Sequence, residues 1–172
     1  KLMLRMDEDD LALIAAKGHV HSSCFSYLEP ELPRIRAVAR EVSFDFSTLH
    51  DPAYLEQVCP HVSTAFLSGA GLADAAVSEL IARVLDLGPD TVCVTRGDKG
   101  AVWANGQTRI EQPIVTATVV DTMGAGDAFI AGYLVARLRG DTPEAALQYA
   151  ASCAAKACGW EGAWGYQLAE KL

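Results

Sequence analysis

The chain has 172 residues, 51% of them hydrophobic, and its 14 Lys and Arg against 22 Asp and Glu leave a formal net charge of −8 at pH 7. That much apolar material suits one well-buried core, residues 1–172 forming a single domain, and it excludes disorder as the main state. The acidic balance offers no general attraction to nucleic acid or anionic lipid, so neither is an expected partner and any phosphate must be held by a local device. No run approaches the roughly 20 apolar residues that cross a bilayer, and the opening KLMLRMDEDD lacks a signal-peptide pattern. Cys24, Cys59, Cys93, Cys153 and Cys158 are odd in number and show no CxxC spacing, which reads as reduced, packed thiols in a cytoplasmic protein.

Short apolar runs rich in β-branched and aromatic residues predict strands at Val20 to Phe25, Val42 to Phe46, Val62 to Leu67 and Val92 to Thr95. Their near-continuous hydrophobicity suits central, mostly parallel strands. Between them, the spacing of Leu32, Ile35, Val38 and Ala39 predicts a helix over Glu31 to Arg40, with Arg34, Arg36 and Arg40 toward water. Val77, Leu80, Ile81, Val84 and Leu85 predict another from about Asp74, as its N-cap, to Leu87, stopped by Gly88 and Pro89.

Beyond the fourth strand, Ala101 to Ala104 and Thr108 to Ile110 flank Asn105-Gly106, which predicts an antiparallel hairpin with a type I′ turn. The last third reads as helical, with Ala125 to Arg139 ending at Gly140 and a second helix from Thr142 and Pro143 to about Cys158. The segment Gly159 to Gly165, with Trp160 and Trp164, reads as a loop packed on something. The alternation of periods argues for an α/β domain.

The chemistry concentrates in Val119-Val120-Asp121-Thr122-Met123-Gly124-Ala125-Gly126-Asp127, an apolar, strand-like run that turns through two glycines into a helix. The first N–H groups of a helix lack intrahelical acceptors and carry the positive end of its dipole, so an anion such as a phosphate is the expected occupant. Asp127 in that first turn either stabilises its own helix or faces an acceptor hydroxyl as a proton acceptor. There is no GxxxxGK[ST], and Phe129 stands where a dinucleotide fingerprint needs its third glycine.

Elsewhere the signals are weaker. His19 and His21 alternate and share a face, which suits edge or pocket-wall histidines better than a metal pair, and His50 and His61 read as loop residues. Cys93 reads as core, and Lys99 as either a phosphate contact or an exposed turn lysine.

The run Asp121 to Asp127, followed by Ala128-Phe129-Ile130-Ala131-Gly132, resembles the C-terminal signature of PfkB-type (ribokinase-like) carbohydrate kinases. Thr95-Arg96-Gly97-Asp98-Lys99-Gly100 is similar to that family's second glycine-bearing nucleotide segment, and Phe44-Asp45-Phe46-Ser47 and Gly162-Ala163-Trp164 resemble most the fructoselysine 6-kinase branch. The resemblance implies a ribokinase-like three-layer αβα fold with a mostly parallel central sheet and a β-hairpin. It implies ATP-dependent phosphoryl transfer, with Mg2+, to a hydroxyl of a sugar or sugar-amine. Asp127 would be the base, the amides of Gly124, Ala125 and Gly126 the anion hole, and Thr95, Gly97 and Gly100 the lining of the ATP site. Asp121 and Thr122 would help to hold a monovalent cation such as K+, the alternative for both being a strand-end turn. Another acceptor, such as a nucleoside or a fructose phosphate, and an inactive nucleotide-binding fragment remain alternatives.

The departures from the family pattern are specific. Ser68-Gly69-Ala70-Gly71-Leu72-Ala73-Asp74 lacks the Asn-x-x-Glu that organises the magnesium shell in many members, and Ala151 replaces a residue often found near the adenine. The sugar-binding Gly-Gly-Asn segment, the first strands and the β lid have no counterpart, so the chain resembles the C-terminal portion of a kinase. It is expected to be inactive or weak by itself and, with a sheet edge exposed, to oligomerise or to need the missing segment.

Overall fold

A computed structural model describes residues 3–163 and Gly165. In chain order it comprises α1 (Glu8–Lys17), β1 (His19–Ser23), α2 (Leu32–Val38), β2 (Glu41–Asp45), α3 (Pro52–Val58), β3 (Thr64–Ser68) and α4 (Asp74–Asp86). Then follow β4 (Thr91–Thr95), β5 (Ala101–Asn105), β6 (Arg109–Gln112), α5 (Ala125–Leu138) and α6 (Pro143–Ala157). The strands are ordered in the sheet as they are in the chain. The molecule divides into two compact units, one formed by the residues up to Arg96 with Val102–Arg109, the other by Gly97–Ala101 and the residues from Ile110 onward.

In the first unit β1 to β4 run parallel, with Val20 opposite Val42, Phe44 opposite Ala65 and Phe66 opposite Cys93. Parallel neighbours need helical crossovers, and α2, α3 and α4 supply them. A strand covered on both faces needs consecutive apolar residues. Val42 and Phe44, then Ala65, Phe66 and Leu67, then Val92, Cys93 and Val94 are buried accordingly. Each fully buried Phe, Leu or Val side chain contributes about 1.5–3 kcal/mol of transfer free energy. The expected inward faces hold in part: Leu32 and Ile35 of α2, and Val77, Leu80, Ile81 and Val84 of α4, are buried, whereas Val38 and Leu85 are half-buried and the buried Ala39 lies just past the end of α2.

Several local expectations are corrected. Neither Asn105 nor Gly106 takes a positive φ, so the turn after β5 is not type I′. Instead the Asn105 side-chain oxygen accepts from the amides of Gln107 and Thr108 at 3.0 and 2.7 Å, and Thr108 O accepts from Asn105 N at 3.0 Å. An Asx turn does the same work without left-handed backbone. Strands β4, β5 and β6 are successive neighbours joined by connections too short for a crossover, so they run antiparallel. The N-cap of α4 is Ala73, with no capping side chain, and Asp74 is the first helical residue.

Helices α1 and α3 were not expected from apolar spacing, although their caps are ordinary. Asp7 and Asp10 form a reciprocal capping box, and Asp51 Oδ1 accepts from Tyr54 N at 3.0 Å. The α1 end is anchored through Glu31, whose buried carboxylate accepts from Arg5 at 3.0 Å and Arg34 at 2.8 Å. These hydrogen bonds, Arg5 first, hold the Glu31 carboxyl below its ordinary range. A carboxylate depressed in the folded state contributes stability that is complete above its unfolded pKa, near about 4.3, and is lost as pH falls through the lower folded value. Glu31→Gln is expected to lower the melting temperature at neutral pH and to flatten its fall below about pH 4. A mutant with the parent's acid profile in thermal melts would contradict this.

In the second unit α5 and α6 pack together with Phe129, Ile130, Tyr133, Ala146, Leu147 and Ala150 buried. Gly132 permits the approach, since a Cβ there would lie 3.0 Å from Ala150 Cα and from Cys153 Sγ. Thr142 caps α6 as expected, accepting from Ala145 N at 3.3 Å with Pro143 in the first turn. Val119 and Val120, expected to be strand-like, lie outside any strand and are exposed. The Val120 amide donates to Cys158 O at 2.8 Å. Among the described residues no helix is long and apolar enough to cross a membrane.

Candidate active site

The entry to α5 is shaped by one residue. Gly124 has φ of 76°, a left-handed conformation that glycine adopts without steric cost. A Cβ at Gly124 would also sit 2.9 Å from Ala163 Cβ, so two separate demands exclude a larger residue. Ala125 N donates to Thr122 O at 3.2 Å and closes the turn, and Ala128 N donates to Gly124 O at 2.8 Å as the helix begins. No side chain caps this N-terminus. The positive end of a 14-residue helix is therefore left with backbone donors, the arrangement that receives anions.

Gly126 has open space where a Cβ would stand. Its small size is thus not required by the fold and leaves room for a ligand to approach the backbone. Asp127, one residue on, is exposed in the first turn of α5. An exposed carboxylate beside uncapped amides can take a proton from a hydroxyl whose oxygen is attacking a group held by those amides.

Asp121 and Thr122 precede this turn, and Thr122 is exposed. Asp121 Oδ1 accepts from Met123 N at 3.0 Å, and its Oδ2 accepts from Gly162 N at 3.0 Å. The amide of Met123, then that of Gly162, holds the Asp121 carboxyl below its ordinary range. The expected packing of the Gly159 to Gly165 loop is seen at Ala163 and at Gly165 beside Trp160, while Trp164 lies outside the described residues.

The second glycine-bearing segment follows β4. Thr95, in the first unit, accepts from Gly69 N through its carbonyl at 2.7 Å and donates its hydroxyl to Leu67 O at 3.4 Å. Gly97 and Gly100, in the second unit, have φ of 60° and 80°, and Gly100 N donates to Gly97 O at 3.1 Å. A Cβ at Gly100 would fall 2.0 Å from Gln112 O, so that position is restricted to glycine by the fold itself. Arg96 is an addition that pattern reading did not supply. Its nearly buried guanidinium pairs with the exposed carboxylate of Asp74. Of the expected residues, Gly97, Gly100, Asp121, Thr122 and Gly124 to Asp127 thus fall in one unit and Thr95 in the other.

The remaining candidates have structural surroundings. His19 Nδ1 lies 3.1 Å from Glu41, His21 Nδ1 is 2.9 Å from Ser43 Oγ, and His61 ends a short 3-10 turn rather than lying in a loop. Cys93 is buried as expected, and burial pushes its thiol up to about 12. Among the described residues no three His, Cys, Asp or Glu side chains come together as a metal site.

A family model described as pfkB family carbohydrate kinase matches residues 52–165. The chain is 43% identical, over its whole length, to fructosamine kinase FrlD of Bacillus subtilis (strain 168). It is 34% identical over 159 residues, 92% of its length, to fructoselysine 6-kinase of Escherichia coli (strain K12). In each case it spans 60% of the relative's own length. The solved structure of Arabidopsis thaliana ribokinase complexed with ribose and ATP superposes with a TM-score of 0.81 at 26% identity, over 92% of this chain and 55% of that one. The fold is accordingly a ribokinase-like α/β fold.

Proposed function

The chain belongs to the pfkB family of carbohydrate kinases, and from that premise we propose that it carries the phosphoryl-transfer end of an ATP-dependent kinase acting on a hydroxyl of a fructosamine-type sugar such as fructoselysine. The observation that carries this reading is Asp127, exposed in the first turn of an uncapped helix that begins at left-handed Gly124. The Bacillus subtilis and Escherichia coli relatives are by name a fructosamine kinase and a fructoselysine 6-kinase, which supports the choice of acceptor.

In this reading Asp127 takes the proton from the acceptor hydroxyl as its oxygen bonds to the γ-phosphorus of ATP. The bond from that phosphorus to the bridging oxygen breaks, and ADP leaves with the electron pair. Backbone N–H groups at Gly124 and Gly126, with the α5 dipole behind them, face the charge that spreads over the phosphoryl oxygens, whereas the Ala125 N–H, expected to join them, is engaged with Thr122 O. Thr95, Gly97 and Gly100 line the nucleotide site, with Gly97, where a Cβ would meet open space, letting backbone approach it closely. Magnesium would come with the nucleotide as part of the substrate and would offset negative charge on its phosphates.

The test is ADP release by the full-length protein with a panel of acceptors: fructoselysine, fructose, a nucleoside and fructose 6-phosphate. The reading expects release that depends on fructoselysine and exceeds that with each other acceptor by at least about tenfold, the scale of one well-placed polar contact. Release with the nucleoside or the sugar phosphate instead would move the protein to another acceptor class. ATP binding without release would make it a nucleotide-binding protein.

A further inference from the structure

The cation that the sequence resemblance assigns to Asp121 and Thr122 would have to share oxygens that backbone amides already engage. Each Asp121 oxygen already accepts a backbone amide, from Met123 and from Gly162 at 3.0 Å each. The Thr122 carbonyl accepts from Ala125 N at 3.2 Å. Among the described residues no three His, Cys, Asp or Glu side chains form a metal-ligand cluster around Asp121.

We propose that Asp121 is a positioning residue, a carboxylate clamp that ties the turn carrying the Gly124 to Gly126 amides to the segment Cys158–Ala163 and takes the place of a monovalent cation there. The inference rests on the kinase reading for its catalytic consequence and on geometry for the clamp. Four contacts join the same two segments. Val120 N and Asp121 N donate to Cys158 O at 2.8 and 3.3 Å, Gly162 N donates to Asp121 Oδ2, and Gly124 lies so close to Ala163 that a Cβ there would be only 2.9 Å away. The Oδ1 bond to Met123 N, two residues on, holds the turn just before the helix. A carboxylate that accepts two amides fixes both segments at once, because each bond is charge-assisted and neither amide has to rotate.

The consequence is mechanical. Backbone donors stabilise a transition state only if they are already aimed when charge develops, and displacement by about 1 Å can cost about 100-fold in rate. Asp121 touches no substrate in this scheme and acts through the amides it holds. Its loss therefore falls on kcat more than on KM. Asn keeps one acceptor oxygen for one amide but presents an NH2 group to the other, so Asp121→Asn is half a clamp and Asp121→Ala none.

The experiment uses the full-length protein, wild type and both variants. Amide hydrogen exchange is read over residues 120–126 and 158–163, and steady-state kinetics are measured in K+ and in tetramethylammonium buffers of equal ionic strength. The clamp predicts faster exchange in both segments together, graded Ala above Asn. It predicts kcat lowered about 10- to 100-fold in the Ala variant with KM for ATP within about 3-fold, and wild-type rates equal in the two buffers. Unchanged exchange in either segment, or wild-type activity that requires K+, would overturn it. The buffer comparison needs no variant and so decides even where Asp121→Ala fails to fold. A wild-type protein that transfers no phosphoryl group to any sugar would overturn the kinase reading and with it the catalytic role of Asp121, while exchange would still decide whether the clamp exists.

Discussion

Asp127→Asn is expected to lower kcat for phosphoryl transfer by about 10²- to 10⁴-fold, the range that one positioned general base supplies, while ATP affinity and melting temperature change little. The side chain is exposed in the first turn of α5, so its amide counterpart creates no cavity and breaks no buried hydrogen bond. What Asn lacks is the ability to take a proton as the acceptor oxygen approaches phosphorus. A helix-stabilising role would show the reverse pattern. Removing a first-turn negative charge costs about 0.3–1 kcal/mol of stability, and turnover would then fall only with the folded fraction. Kinetics paired with thermal melts of the same samples separate the two.

Gly124→Val should injure both folding and catalysis. A β-branched residue at φ of 76° is a genuine outlier, and its Cβ would meet Ala163 at 2.9 Å. A non-glycine residue in the left-handed region costs about 1–3 kcal/mol, and relief of the contact with Ala163 shifts the amides that follow, for a further loss in kcat of about 100-fold. Gly126→Ala is the informative contrast. Its Cβ would meet open space inside a helix, where Ala is favoured by about 0.5–1 kcal/mol over Gly. That variant should melt no lower than the parent and still lose activity, because the methyl group occupies the space reserved for a ligand. Equal melting temperatures for Gly124→Val and the parent would contradict this account of the turn.

The two glycines also show how far a sequence carries. A run of Asp121 to Asp127 opening an apolar helix marks a tight turn into a helix without a side-chain cap because the constraint is local, a chain reversal at a left-handed glycine. The four parallel strands were equally legible, since a strand buried on both faces must be apolar at successive positions, as at Val92, Cys93 and Val94. Long-range choices were not legible. Asp121 is 41 residues from Gly162, and no pattern in either segment names the other. Asp74 looked like a helix cap, yet it pairs with Arg96, 22 residues away. Asn105-Gly106 suggested left-handed backbone, but the Asn105 side chain could satisfy the turn by itself and did. Val119 and Val120 have strand-like composition, but their exposed side chains bury no apolar face that would hold a strand in place.

The central claim, that this chain supplies the base and the phosphate-holding amides of a sugar kinase, is tested most directly by transfer of label from γ-labelled ATP. Full-length wild type and Asp127→Asn would be incubated with fructoselysine and the products separated by mass. The account predicts labelled phosphofructoselysine from wild type and at least about 100-fold less from the variant at equal folded concentration. Label released only as inorganic phosphate, or incorporated equally by both proteins, would contradict it.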